Sequence, residues 1–511
     1  MPRVSPPFLP IIYVRGYAAT MAEIEATTAD PYMGFNLGAS HLRQRWDGKP
    51  VRFIFESPLL RLIKDHDYVD AYQGGGIDYE PGTAPPRSVW VFRYYEQVSE
   101  SLGTGRRVGM EQFAADLRAF ILQVRRAICG DDAAAARDFQ VALVAHSMGG
   151  LVCRSYLQNL CRHGTGDTAR DKALELDSAA ARARHHVGRF YTYGTPHGGI
   201  EMLGMNVPDF GGLDGLQVSN FNRGRMREYL KLPAGAPVNS LDGAFPVEHT
   251  FCFIGSNHRD YEAFAGLSKK AAGPMSDGLV AIADASIEGA PRAIAHRSHS
   301  GPYGIVNSEE GYQNLRRFLF GEVGITARLA VDALSLPAAV QAEKDAGKEV
   351  RGSYYIDAAS SVRNALYMLN ERRQDQNSAI LMEYDALVKD GKPVYLFTGY
   401  LLKAAREAAD RALVFYIDLA VHVPLFEVGG RLFRRNYMNS YNYRERITFA
   451  IRDGSVRYGL ASLHGDEAPL AASLQQGDGG TRLLQIALAS PDGVRPGFAG
   501  RLLLEVAERA S

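Results

Sequence analysis

Val141-Ala142-Leu143-Val144-Ala145-His146-Ser147-Met148-Gly149-Gly150-Leu151-Val152-Cys153-Arg154 is the stretch that decides how this chain folds. Its first five residues are an unbroken apolar run of strand length. Such a run predicts a strand buried on both faces. Residues 149–160 then read as a helix. Ser147 stands between the two, flanked by His146 and Met148, with Ala145 two positions before it and Gly149 two after. A sharp strand-to-helix turn crowds both of those positions, so it demands small residues there, and it lifts the serine hydroxyl out at the end of the sheet. The helix N-terminus behind the serine favours negative charge developing nearby. A serine placed in this way suits nucleophilic chemistry.

The same alternation extends outward in both directions. Pro10-Ile11-Ile12-Tyr13-Val14 is a short apolar run ending in Arg15-Gly16-Tyr17, a buried strand followed by a tight turn. Val51-Arg52-Phe53-Ile54-Phe55 and Val89-Trp90-Val91-Phe92-Arg93 read as further strands. Residues 110–128 bring Phe113, Leu117, Phe120, Ile121 and Val124 to one helical face,. Residues 190–193, 249–254 and 293–295 look like later strands. Strands alternating with helices predict an α/β fold with a mostly parallel sheet covered on both sides.

From about residue 325 the texture becomes period-two and aromatic-rich, as in Ser353-Tyr354-Tyr355-Ile356-Asp357 and Arg446-Ile447-Thr448-Phe449-Ala450-Ile451. Turn signals such as Asp390-Gly391 and Asp453-Gly454 punctuate it. This predicts a C-terminal all-β, sandwich-like domain. The length of 511 residues fits such a division,. The expected boundary leaves residues 1–322 as the α/β domain, with insertions at about 20–88 and 200–245, and residues 323–511 as a β-rich accessory domain.

Lys+Arg and Asp+Glu both total 57, so no basic excess points to a general nucleic-acid binder,. Pro6, Pro7 and Pro10 break the first apolar stretch, and no small-residue cleavage site follows, so no secretory signal is expected,. No run approaches the length of a membrane-spanning helix. A cytoplasmic location is the default expectation, with signal-independent export open. Cys129, Cys153, Cys161 and Cys252 have no zinc spacing and are expected to be small buried hydrophobes,. Neither a metal nor a cofactor is expected.

Three more segments bear on the chemistry: Tyr193-Gly194-Thr195-Pro196-His197-Gly198-Gly199, Ser276-Asp277-Gly278-Leu279-Val280, and Val14-Arg15-Gly16-Tyr17. Together with the elbow at Ser147 they resemble the lipase/esterase branch of the α/β-hydrolase superfamily, and bacterial triacylglycerol lipases in particular. The resemblance covers roughly the first 320 residues. It departs at Ala145, where the family has Gly, and at Arg15, where the family has His.

The resemblance implies an α/β-hydrolase fold and a Ser, acid, His order along the chain. Ser147 is then the nucleophile. Asp277, in a Gly-containing turn, is the acid, with Asp260 and Glu262 as rivals closer to the preceding strand. His299, in a Ser-Gly-Pro loop, is the base, with His296 as runner-up. The backbone N–H groups of Met148 and Tyr17 would form the oxyanion hole, and Thr195, Pro196 and His197 would shape the active-site floor. His197 precedes the acid and so has a poor claim as base. Residues 200–232, rich in Met, Leu, Phe and Gly, would form a lid or a packed cap.

The expected function is hydrolysis of carboxylic esters, lipid or acyl esters first, through an acyl-enzyme. An amidase or acyltransferase with the same triad is the alternative, as is a non-catalytic lipid- or protein-binding member of the fold. The expected partners are a small-molecule or lipid ester and, through it, a membrane or lipid surface. Oligomeric state is not legible.

Overall fold

Apolar runs with no polar alternation pair where both faces are covered, and here they build one sheet. Its strands are β1 (Ile11–Val14), β4 (Val69–Asp70), β5 (Ser88–Phe92), β6 (Val141–His146), β7 (Val187–Tyr193), β10 (Thr250–Gly255) and β11 (Arg292–Ala295). Their order across the sheet is β11-β10-β7-β6-β1-β5-β4. β1 runs parallel to β5 and β6, β6 to β7, β7 to β10, and β4 to β5. All residues of β1, β5, β6 and β10 are buried, as a doubly covered sheet requires,. The helix Met110–Cys129 turns Phe113, Leu117, Ile121 and Val124 inward.

The computed structural model describes residues 4–16, 25, 27–44, 49–71, 78–101, 108–202, 205–206, 218–260, 273–301, 303–363, 365–408, 411–429, 434–438, 441–452, 455–462, 470–471, 475–476 and 480–509. These fall into two compact units, residues 1–292 with 297–319 and residues 293–296 with 320–511. Among the described residues no helix is long and apolar enough to cross a membrane.

Two stretches between the sheet strands form hairpins of their own. β2 (Ala39–Gln44) pairs antiparallel with β3 (Pro50–Phe55), apart from the main sheet. Val51-Arg52-Phe53-Ile54-Phe55 is therefore a strand, but not a sheet-core strand. Arg52 and Ile54 are exposed while Phe55 is buried, the pattern of a strand with one wet face,. The later pair is short, β8 (Glu201–Met202) with β9 (Met205–Asn206).

The second unit is antiparallel. One sheet runs in the order Val394–Leu401, Val323–Leu334, Phe498–Glu508, Thr481–Ala489, Gln475–Gln476. A nine-stranded sheet centres on Val350–Val362, Leu413–His422 and Tyr441–Arg452. Leu329, Leu396, Leu484 and Leu502 of the first share one core with Ile356, Phe415, Ile417 and Phe449 of the second. Buried and exposed residues alternate along Tyr441–Arg452 and Thr481–Ala489. Inward and outward faces of this kind define a sandwich. The fold is thus an α/β core of mostly parallel strands with a C-terminal all-β region.

Candidate active site

Strand β6 ends at His146 and the helix Met148–Arg154 begins one residue after Ser147. Ser147 itself makes the turn, at φ 53° and ψ −128°. That region is sparsely populated by residues with a side chain, so its surroundings must hold it there. The Ser147 N–H donates to the Tyr193 carbonyl at 2.9 Å. The Ser147 carbonyl accepts from the Thr195 hydroxyl at 2.9 Å and from the Gly150 N–H at 3.0 Å.

The small residues follow from this crowding. A Cβ on Gly149 would lie 2.3 Å from the Val14 carbonyl oxygen, and one on Gly16 would lie 2.5 Å from Ser147 Cβ. A Cβ on Gly150 would lie 2.2 Å from Thr195 Oγ1. Ala145, fully buried in β6 between Val14 and Thr192 on the adjacent strands, is accommodated without glycine.

His299 brings its Nε2 to 2.9 Å from Ser147 Oγ and its Nδ1 to 2.7 Å from Asp277 Oδ2. All three side chains are buried. A carboxylate only accepts, so Nδ1 carries the proton and Nε2 is left to accept from the serine hydroxyl. The other oxygen of Asp277 accepts from the N–H groups of Leu279 at 3.0 Å and Val280 at 2.8 Å, which fixes the carboxylate. The backbones are joined as well, because the His299 N–H donates to the Asp277 carbonyl at 2.9 Å. Gly194, at φ +52°, and Gly255 make room, since a Cβ on them would lie 2.9 Å from Asp277 Oδ2 and 2.7 Å from Asp277 Cβ respectively.

The rival residues occupy other places. Asp260 is exposed and accepts from Asn257 Nδ2 at 2.6 Å. His296 is half-buried just after β11. Glu262 lies outside the described residues, and so does Tyr17. Met148 is the first residue of its helix, and a first-turn N–H has no acceptor within the helix,. At Arg15 the side chain stands over the Phe35 ring, 5.9 Å from its centroid, while the Arg15 carbonyl accepts from Tyr94 Oη.

His146 and His197 are both buried without being the ring at the serine. His146 Nε2 lies 3.0 Å from the His299 carbonyl oxygen, with the two rings 4.9 Å apart. His197 Nε2 lies 3.2 Å from Thr192 Oγ1, and its carbonyl accepts from Arg154 Nη1 at 2.9 Å. Burial holds both imidazoles well below the usual histidine range, reinforced by His299 and Arg15 for the first and Arg154 for the second. Pro196 accepts from the Gly199 N–H, which closes the turn after Thr195. Of the apolar residues between 200 and 232, Leu203, Val207, Phe210, Leu213 and Leu216 lie outside the described residues, while Phe221 is buried. Among the described residues no three or more His, Cys, Asp or Glu side chains gather to hold a metal ion.

Residue types in one dimension do not show what Gly16, Gly150, Gly194 and Gly255 make room for, because what crowds each of them is distant in the chain. The available signal was their placement at strand ends and beside the serine.

No family model matches this chain, and no curated protein matches it either. Among solved structures it is similar to phospholipase PlaB from Legionella pneumophila in complex with thio-NAD, at 10% sequence identity. That likeness covers 84% of this chain and 90% of that one, with a TM-score of 0.29, and it adds nothing to the geometry above.

Proposed function

We propose that residues 1–322 form the catalytic domain of a serine hydrolase that cleaves carboxylic esters, with lipid or acyl esters as the substrate class. The observation that carries this reading is the unbroken hydrogen-bonded series from Ser147 Oγ through His299 to Asp277, enclosed away from water. In this reading Ser147 Oγ attacks the ester carbonyl carbon as His299 Nε2 takes its proton. The carbonyl pair moves onto oxygen, where the N–H of Met148 and, by the resemblance, that of Tyr17 receive it. Collapse expels the alcohol, which takes the proton from His299. Water then attacks the acyl-serine by the same route and releases the acid. Asp277 holds the tautomer and stabilises the imidazolium without taking the proton.

A fluorophosphonate probe tests the nucleophile. The parent protein is expected to label, and Ser147→Ala to lose both labelling and turnover of p-nitrophenyl esters. Labelling that persists in Ser147→Ala would sink the reading. A chain-length series of p-nitrophenyl esters beside matched amides tests the substrate class. Rates that peak at the shortest ester, or on amides, would replace it.

A further inference from the structure

We propose that His146 is a positioning residue for the base, tethering the His299 backbone to the strand that carries Ser147. This rests on the reading of His299 as base. His299 is bonded twice to the acid segment, through its ring to Asp277 Oδ2 and through its N–H to the Asp277 carbonyl. Those bonds register the base against the acid. The contact at 3.0 Å from His146 Nε2 to the His299 carbonyl registers it against β6 and the serine.

The protonation state follows from the partners. A carbonyl oxygen only accepts, so His146 Nε2 carries the hydrogen. Among the described residues His146 Nδ1 is buried with no hydrogen-bond partner, beside the place a Cβ on Gly16 would occupy. A second proton there would be a buried donor with nothing to accept it. His146 is therefore a neutral donor. It can hold the base in place without adding positive charge beside His299 when that ring becomes imidazolium.

The substitutions His146→Met and His146→Gln separate tethering from filling, because both fill the space and only glutamine offers an N–H on an arm of similar reach. The readouts are the fluorophosphonate labelling rate, kcat and KM for p-nitrophenyl butyrate, and the urea midpoint. His146→Met is expected to lower the labelling rate and kcat by about 10- to 100-fold with KM changed by less than about 3-fold, and His146→Gln to regain most of that loss. Equal losses in two variants with parental urea midpoints, or no loss in His146→Met, would overturn the tether. If His146→Met does not fold, His146→Gln decides: labelling within about 3-fold of the parent supports the tether and a loss beyond about 10-fold refutes it. His299→Ala is the separate control, and if it labels as fast as the parent, the reading of His299 as base fails instead.

Discussion

Thr195 and Gly150 are fitted to each other. The Thr195 hydroxyl donates to the Ser147 carbonyl, and the same side chain stands where a Cβ on Gly150 would go. Thr195→Val keeps the shape and removes one hydrogen bond from a carbonyl that still accepts from the Gly150 N–H. It should cost about 1 kcal/mol in urea unfolding and slow probe labelling a few-fold. Gly150→Ala should cost more, because a branched side chain must move. The pair Gly150→Ala with Thr195→Ala should recover part of the loss, a coupling that a double-mutant cycle reads directly. Gly150→Ala with an unchanged urea midpoint would contradict the fit. The need for a small residue at Gly149 was legible, since the turn itself imposes it. The need at Gly150 was not, since Thr195 imposes it from a later strand end. Chain order likewise left Asp260 and His296 open beside Asp277 and His299, because order does not say which loop reaches the serine.

At the scale of the element, the helix behind Ser147 departs from the single helix expected over residues 149–160. Residues Met148–Arg154 are α-helical, Ser155–Leu160 form a π-helix and Cys161–His163 close it. Hydrophobic spacing does not reveal a wider turn, because all of its residues are buried. Arg154 ends the α-helical part, fully enclosed, and its bonding partners are neutral. Its guanidinium donates to Gln158 Oε1 and to the carbonyls of His197, Val238 and Ser240. Burial pushes it down to about 10. One side chain thus fastens the Thr195–Gly199 turn and the 238–240 loop to the helix that follows Ser147. Arg154→Met should leave the carbonyls of His197 and Val238 short of a donor, while that of Ser240 keeps Gln158 Nε2 at 3.1 Å. At about 1–3 kcal/mol each, the two losses are a large share of a stability of about 5–15 kcal/mol. Arg154→Lys should not rescue it, because an ammonium lacks the planar fork. A urea midpoint near the parent's in either variant would refute this account.

For the whole molecule, the buried neutral histidines set a pH dependence. His146 and His197 are both held well below the 6.5 of free histidine by burial. Above that value the folded and unfolded chains both carry neutral rings, and these residues contribute nothing. As pH falls below 6.5 the unfolded chain takes up protons that the folded one refuses. Each ring then removes up to about 1.4 kcal/mol of stability per pH unit until its folded pKa is reached. Urea midpoints should therefore fall steadily between pH 6.5 and 5, before most carboxylates titrate. A flat midpoint across that window would show that the rings gain protons in the folded state. At this scale the sequence was readable in outline. Apolar runs and period-two stretches distinguish the two sheet types, but Val51–Phe55 shows the limit. That strand, with Arg52 inside it, belongs to a small hairpin, and only its pairing with Ala39–Gln44 reveals that.

The backbone of Ser147 carries a further consequence for anyone engineering this protein. A residue held in a glycine-favoured conformation strains the folded state, by about 1–3 kcal/mol. Selection for thermal robustness therefore rewards relaxation at the one position where relaxation removes the hydroxyl. Ser147→Gly should unfold at a higher urea concentration than Ser147→Ala while being just as inert to the probe. On the proposed function, durability and chemistry pull in opposite directions at this site, so any stabilisation campaign has to screen for both at once.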